Sequence, residues 1–279
     1  MSYAITGRVV AITGSTGGLG RALAIELRAK GAKLALLDIN ADAVAEQVQA
    51  LGGGSDDVWG GYVDVRSWEA VEAGINSAAA HFGGIDVMIA NSGIAIASPM
   101  EKIAPEAFDR VIDINLNGAW RTFKAALPHV QQRRGYLMAI SSMAAFVHSP
   151  LQAHYTASKA GVWAMCDSIR LEVRRLGVGV GTVHPTFFPT NMMEQVHADP
   201  AGVKIWGGNS KGLWKMITLE NVVAAILRGI ERREDMVVVP GKNAIPARMP
   251  GFVRKWIERA GFRDSDITEA IALAGDGLN

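Results

Sequence analysis

Cysteine is almost absent: Cys166 stands alone in 279 residues. A single thiol excludes an internal disulfide and fits a reducing compartment, so the cytoplasm is the expected location. Neither sign of charge is in excess. Twenty-eight Lys and Arg face 27 Asp and Glu, for a net charge of +1, which gives no electrostatic reason to expect a nucleic-acid partner. No apolar run reaches the roughly twenty residues that a membrane span needs. The opening MSYAITGRVVAITG lacks the charged and apolar blocks expected of a secretory signal. The six His show no metal spacing, with His148 and His154 six apart and no HExxH stretch, so no metal is expected. Neither an internal repeat nor a low-complexity linker interrupts the chain.

What is present is apolar and ordered. Hydrophobic residues make up 49% of the chain and charged residues 20%, which suits a globular protein with a large core. Short apolar runs alternate with helix-length segments: RVVAIT (8–13), KLALLD (33–38), VWGGYVDV (58–65), DVMIAN (86–91), GYLMAISS (135–142), VGVGTVHP (178–185) and MVVVP (236–240). Helices are expected between them, including 104–113, 115–134, 153–176 and 219–232. Strands that are apolar throughout and separated by helices predict a parallel sheet covered on both faces. Right-handed crossovers then give one doubly wound α/β domain over residues 1–279.

The stretch AITGSTGGLGRALA runs strand, glycine-rich turn, helix. Gly14, Gly18 and Gly20 let the backbone turn sharply and come close to a ligand, and a helix N-terminus offers free N–H groups to a pyrophosphate. The next strand ends in Asp38, about twenty residues on, where a carboxylate accepts hydrogen bonds from an adenosine ribose and repels a ribose phosphate. Neither Ser15 nor Ile39 supplies a cation for such a phosphate, so NAD is favoured over NADP. A plain strand-end acid is the competing reading of Asp38. Further on, HYTASKAG places Tyr155 and Lys159 one helical turn apart. Residues four apart are neighbours on a helix, and an ammonium beside a phenol is expected to lower its pKa.

TGxxxGxG followed by YxxxK resembles the short-chain dehydrogenase/reductase family, well over residues 5–190 and in outline beyond. The resemblance implies a Rossmann-like fold and a catalytic set of Ser142, Tyr155, Lys159 and Asn115. Tyr155 would be the acid/base, Ser142 the partner of the reacting oxygen, and Asn115 a helix-bending residue that helps a water relay protons to Lys159. It also implies cofactor contacts at Gly14, Ser15, Gly18, Leu19, Gly20, Asp38, Asp64, Val65, Asn91, Gly93, Tyr155, Lys159, Pro185 and Thr190. Of these, Asp64 would meet the adenine amine and Thr190 the nicotinamide carboxamide. The chain departs from the family with Ser92 for Ala, Thr186 for Gly after Pro185, and Phe188 for a smaller apolar residue.

After Thr190, residues 190–217 stand where the family has its substrate lid. Met192, Met193, Trp206 and Trp214, with Phe146, Phe187 and Phe188, would wall a pocket for a hydrophobic lipid-, terpene- or steroid-like alcohol or ketone; the alternative is that they pack the lid onto the core or a neighbour. Gly202, Gly207, Gly208 and Gly212 suggest that the lid moves. His148 is a possible substrate contact. The helical tail 247–279 carries Phe252, Val253, Trp256 and Ile257 beside Arg254, Lys255, Arg259 and Arg263. Such a helix packs on its own domain or a sister subunit, closes over a partner's site, or lies on a membrane surface. Apolar residues on more than one face of the Tyr155 helix point to a homodimer or homotetramer. The expected activity is NAD-dependent interconversion of a secondary alcohol and a ketone. A silent NAD-binding regulator, and an epimerase or dehydratase that retains NAD, are the alternatives.

Overall fold

The computed structural model describes residues 3–52 and 56–274. Its centre is a seven-stranded, all-parallel sheet in the order β3-β2-β1-β4-β5-β6-β7. The strands are β1 (Val9–Thr13), β2 (Lys33–Asp38), β3 (Val58–Tyr62), β4 (Val87–Ala90), β5 (Tyr136–Ile140), β6 (Gly179–Pro185) and β7 (Met236–Val239). Helices α1 (Gly18–Ala29), α2 (Ala41–Gly52), α3 (Trp68–Phe82), α4 (Pro105–Ile112), α5 (Gly118–Gln132), α6 (Ala153–Val173) and α9 (Leu219–Arg232) connect them. This is the doubly wound arrangement anticipated from the alternating pattern. The sheet order reverses between β1 and β4, and that switch point is where such folds open a crevice at the carboxyl ends of their strands.

Every residue of β1 is buried, which explains why its sequence does not alternate. Val10 and Ile12 join Leu34, Leu36 and Ile89 in one core under α1 and α9, while Val9 and Ala11 join Ala35, Leu37 and Met88 in the other under α3, α5 and α6. Helix ends follow ordinary capping chemistry. The Ser67 side chain accepts from the Ala70 amide at the start of α3, and Gly83 closes it in the left-handed conformation.

Three local expectations change. The third strand stops at Tyr62; beyond it the Val63 amide still donates to Asp38 O at 2.9 Å before the chain turns at Val65. The helical stretches at 104–113 and 115–134 are continuous, joined by a π-helical turn at Asp113–Asn117. The tail does not pack down along its length. After α10 (Ala244–Arg248), helix α11 (Pro250–Gly261) buries none of its residues, and Phe252 and Trp256 are 84% and 71% exposed. Helix α12 (Asp264–Leu273) docks against the lid helix α8 (Pro200–Trp206), which in turn packs on α7 (Asn191–Ala198). Residues 275–279 of the tail lie outside the described residues.

Candidate active site

The carboxyl ends of β1, β2, β4, β5 and β6 border one cavity of about 1450 Å3. At its β1 end the chain turns through Gly14 at φ +66° and enters α1. A Cβ built on Gly20 would lie 2.2 Å from the Gly14 carbonyl oxygen, so the helix can approach the turn only without a side chain there. Gly17 caps α1 with no side-chain hydrogen bond, and the first turn holds no acid. The leading amides therefore face the cavity with their positive ends unspent, which fits a pyrophosphate.

Asp38 closes this corner. Its carboxylate accepts from the Thr16 amide at 3.0 Å and the Asn40 amide at 3.2 Å. Thr16 and Ile39, which line the cavity beside it, carry no charge. Asn91 braces the turn from β4: its side-chain amide donates to Thr13 O at 3.1 Å and to Gly14 O at 2.8 Å. Gly18, Leu19, Val65, Gly93 and Pro185 also line the cavity. Asp64 lines it too, but Arg66 grips its carboxylate in a fork, with Nε at 3.0 Å and Nη2 at 2.6 Å, and those hydrogen bonds hold its pKa below the usual carboxylate range. Thr190 stands opposite the glycine turn, its methyl 3.7 Å from where a Gly18 Cβ would sit, and its hydroxyl caps α7 by accepting from the Met193 amide at 3.2 Å. Ser15 is different. Its amide donates to Leu37 O at 3.2 Å, and its hydroxyl is fully buried without a partner rather than in the cavity wall. Thr16 and Gly17 take that part of the wall, and the sequence reading had passed over both.

At the other end, Ser142, Tyr155 and Lys159 come together. Ser142 follows β5 and caps a short turn by accepting from the Ala144 amide at 3.1 Å. Its hydroxyl stands close enough to the Tyr155 phenol to pull the phenol pKa down. The Lys159 ammonium lies 5.6 Å from the centre of the Tyr155 ring and donates to Ile140 O at 2.8 Å. Lys159 is 4% exposed, and burial lowers its pKa to about 8. Tyr155 keeps some surface open to the cavity.

The expected effect of Lys159 on the phenol is not what the protein has. Burial raises the Tyr155 pKa, and the Ser142 hydroxyl only partly offsets this. Desolvation disfavours the phenolate and the ammonium alike. The amine also points at a carbonyl and not at the phenol oxygen.

Asn115 sits in the π-helical turn, 2% exposed, and ties two elements together. Its Oδ1 accepts from the Ile94 amide at 2.8 Å, and its Nδ2 donates to Ile94 O at 2.9 Å and Ser158 Oγ at 3.1 Å. A Cβ on Gly93 would come within 3.3 Å of that Oδ1 and 3.4 Å of Lys159 Nζ, so the loop after β4 passes directly over both groups. Ser141 points away from the chemistry and donates to Lys159 O at 2.9 Å. Thr186 continues the β6–β7 ladder, donating its amide to Val239 O at 2.9 Å, and its φ is not positive, so the backbone there does not require Gly.

The far wall is apolar. Phe187 packs on Trp206 and Trp214 at 5.9 and 6.3 Å, and Trp214 stacks on Phe262 at 4.9 Å. Met193 and Phe188 also line it, whereas the side chain of Met192 lies outside the described residues. Phe146 is not part of this wall: it is buried between Trp163 and His184. Nor is His148, whose amide donates to Glu258 of α11 at 2.9 Å. Gly202 is a close-approach position and no hinge, because a Cβ there would lie 2.4 Å from Val196 O.

A family model described as short chain dehydrogenase matches residues 8–201. The chain belongs to the short chain dehydrogenase family. It is 33% identical over 202 residues to 3beta-hydroxysteroid dehydrogenase 1 of Eggerthella lenta, covering 70% of this chain and 76% of that one. To (-)-trans-carveol dehydrogenase of Rhodococcus erythropolis it is 33% identical over 208 residues, 68% of this chain and 74% of that one. A short chain dehydrogenase/reductase from Burkholderia phymatum, solved in complex with NAD, superimposes with a TM-score of 0.79 over 93% of this chain and 97% of that one; at 22% identity it shows the fold.

Two wall or support residues of this dehydrogenase escaped the sequence reading. Phe262 reaches the cavity from the end of α11, so the tail closes over its own chain's site. His184 lies fully buried under Ser142. Its Nδ1 is 3.2 Å from Ser142 O, and a carbonyl only accepts, so that nitrogen carries the proton and Nε2 accepts from Thr182 Oγ1 at 2.8 Å. An ionisable residue in an otherwise apolar central strand was the available signal. Burial, helped by the Lys159 charge, lowers its pKa to about 4. The folded value is below the unfolded one, so stability is complete above about pH 6.5 and falls as pH drops toward 4. We predict that between pH 7 and 5 this group costs the wild type roughly 2 kcal/mol, and that His184→Asn lacks that component. Urea unfolding at both pH values measures it; equal losses in the two chains would exclude the assignment.

Proposed function

We propose that the protein is an NAD-preferring oxidoreductase that interconverts a hydrophobic secondary alcohol and its ketone. The observation that carries this reading is a proton-bearing Tyr155–Ser142 pair and an aromatic wall in the same cavity as the glycine turn and Asp38. The steroid and terpene alcohol dehydrogenases among its relatives support the substrate class. A bound nicotinamide dinucleotide would supply the hydride acceptor or donor. The amides of the Gly17–Gly20 turn would hold its pyrophosphate and Asp38 its ribose hydroxyls.

In the reduction direction Tyr155 gives its proton to the substrate oxygen as negative charge grows there; in oxidation Tyr155 must first lose that proton, and its phenolate then takes the one from the alcohol. The raised phenol pKa keeps that proton in place until the oxygen needs it. Ser142 donates to the same oxygen. Lys159 serves proton return, and Asn115 holds the loop at Ile94 over the site.

Absorbance at 340 nm, followed with NAD or NADP and a panel of steroid, terpene and short secondary alcohols, tests the proposal. A phosphate at 4 Å from Asp38 would cost about 4 kcal/mol at an effective dielectric of 20, so kcat/KM with NADP should be at least about 100-fold lower. Equal use of both cofactors would overturn the NAD preference. Binding without turnover on every alcohol and ketone would overturn the oxidoreductase reading.

A further inference from the structure

Helix α11 turns Val253 and Ile257 partly toward the fold but leaves its two large aromatic side chains without a counterpart among the described residues. Phe252 and Trp256 are four apart on the same face and 84% and 71% exposed, and the adjoining α10 segment adds Ile245 at 64% and Met249 at 48%. Large aromatics left in water at this density mark a contact surface. Cations accompany them. Arg248, Lys255 and Arg259 are exposed, and no ion pair joins them to an acid among the described residues. The only acid in α11, Glu258, is turned inward, where it meets His148 and Arg254. The outward face of α11 is therefore apolar and basic with no negative charge.

That pattern selects among occupants. A symmetric pair of chains meeting through α11 would bring one basic face against the same basic face of its partner, with no acid on the outward side of α11 to answer Lys255 and Arg259. Four exposed apolar residues also fall short of the about 800 Å2 per partner that a stable protein interface buries. An anionic bilayer suits the face instead: aromatic side chains enter the headgroup boundary and the cations stay with the lipid phosphates. Reversible binding of this kind needs only a few apolar groups and several charges. The geometry of α11 also makes such docking useful, since the helix ends at Phe262 in the cavity wall and Glu258 ties it to the loop after β5.

We propose that α11, with the α10 segment before it, docks the protein reversibly on anionic lipid surfaces through Phe252, Trp256, Lys255 and Arg259. The proposal goes beyond the reaction and does not depend on it, because the test reads binding without turnover. Full-length protein is sedimented with vesicles of phosphatidylcholine, with or without about one-third phosphatidylglycerol, at ~0.1 and ~0.5 M salt. Phosphatidylglycerol should strengthen partitioning at least about tenfold, added salt should reverse most of that gain, and the tryptophan emission should shift to the blue in the wild type and not in a chain lacking Trp256. Lys255→Glu with Arg259→Glu should cost at least about 25-fold, at roughly fivefold per charge. Phe252→Asp with Trp256→Asp should abolish binding while circular dichroism and Tm stay as in the wild type; Phe252→Gln with Trp256→Gln serves if the charged pair disturbs folding. The proposal fails if the protein ignores both kinds of vesicle, or if either variant pair binds as the wild type does. It fails equally if α11 instead mediates self-association or binding to polyglutamate with no lipid uptake.

Discussion

Tyr155→Phe should lower kcat by at least about 100-fold, some 2.7 kcal/mol of transition-state stabilisation, with cofactor affinity near that of the wild type. The substitution removes one oxygen and keeps the ring, so the α6 surface against the cavity is unchanged. No buried polar group is orphaned, because the Ser142 oxygen still accepts from the Ala144 amide. The glycine turn and Asp38 lie at the other end of the cavity and do not touch Tyr155, so cofactor titration followed by fluorescence should superimpose on that of the wild type. Because the phenol pKa is raised and not lowered, the loss in ketone reduction, where a proton donor is needed, should be the same across the acidic and neutral range in which the phenol stays protonated. A variant that reduces ketones at the wild-type rate would remove Tyr155 from the chemistry. A variant that also loses cofactor affinity would make its role structural.

The sheet was readable from sequence because its inner strands, β2, β1, β4, β5 and β6, bury both faces and so appear as near-continuous apolar runs. All seven runs became strands in one parallel sheet, with ends shifted by up to three residues, as at Tyr62 where β3 stops short of VDV. The glycine turn was readable for a similar reason: only a missing side chain permits Gly20 to lie against Gly14 O. What stayed hidden depends on depth and on distant partners. The Tyr155 pKa follows from how far the hydroxyl is removed from water, which spacing along a helix does not report. Asp64 is written two residues before Arg66, yet its engagement needed coordinates to be seen. The anchoring of the tail was equally hidden: α12 rests on α8, and its carboxyl end is held by Lys102, whose amine donates to Ile271 O at 3.0 Å and Ala274 O at 2.6 Å from 169 and 172 residues away. No local pattern around Lys102 announces that contact.

Lys159→Met should abolish most activity and at the same time make the ligand-free protein more stable. The folded pKa of Lys159 is about 8, against 10.5 for a free lysine. The difference, caused by burial, means that at pH 7 the folded state carries a charge it disfavours by about 3 kcal/mol. Methionine fills similar space without that charge. It leaves Ile140 O without its donor, a loss of about 1–2 kcal/mol. A net gain of about 1–2 kcal/mol remains, or roughly 2–6 °C in Tm for a chain of this size. The sign has a pH signature. An unfolded chain binds more protons than the folded one between pH 8 and 10.5, so the wild type should gain stability across that window while Lys159→Met does not. Burial pushes the Cys166 thiol up to about 12 and raises the Tyr136 phenol, and both pull stability down at alkaline pH. The informative quantity is therefore the difference between the two chains, which should shrink from pH 8 to 10.5. An unchanged or lower Tm at pH 7 would mean that the ammonium is not a strained group held for function. A gain in Tm with wild-type turnover would separate Lys159 from the proton chemistry altogether. Stability up and activity down together would identify Lys159 as a charge kept for catalysis against the preference of the fold.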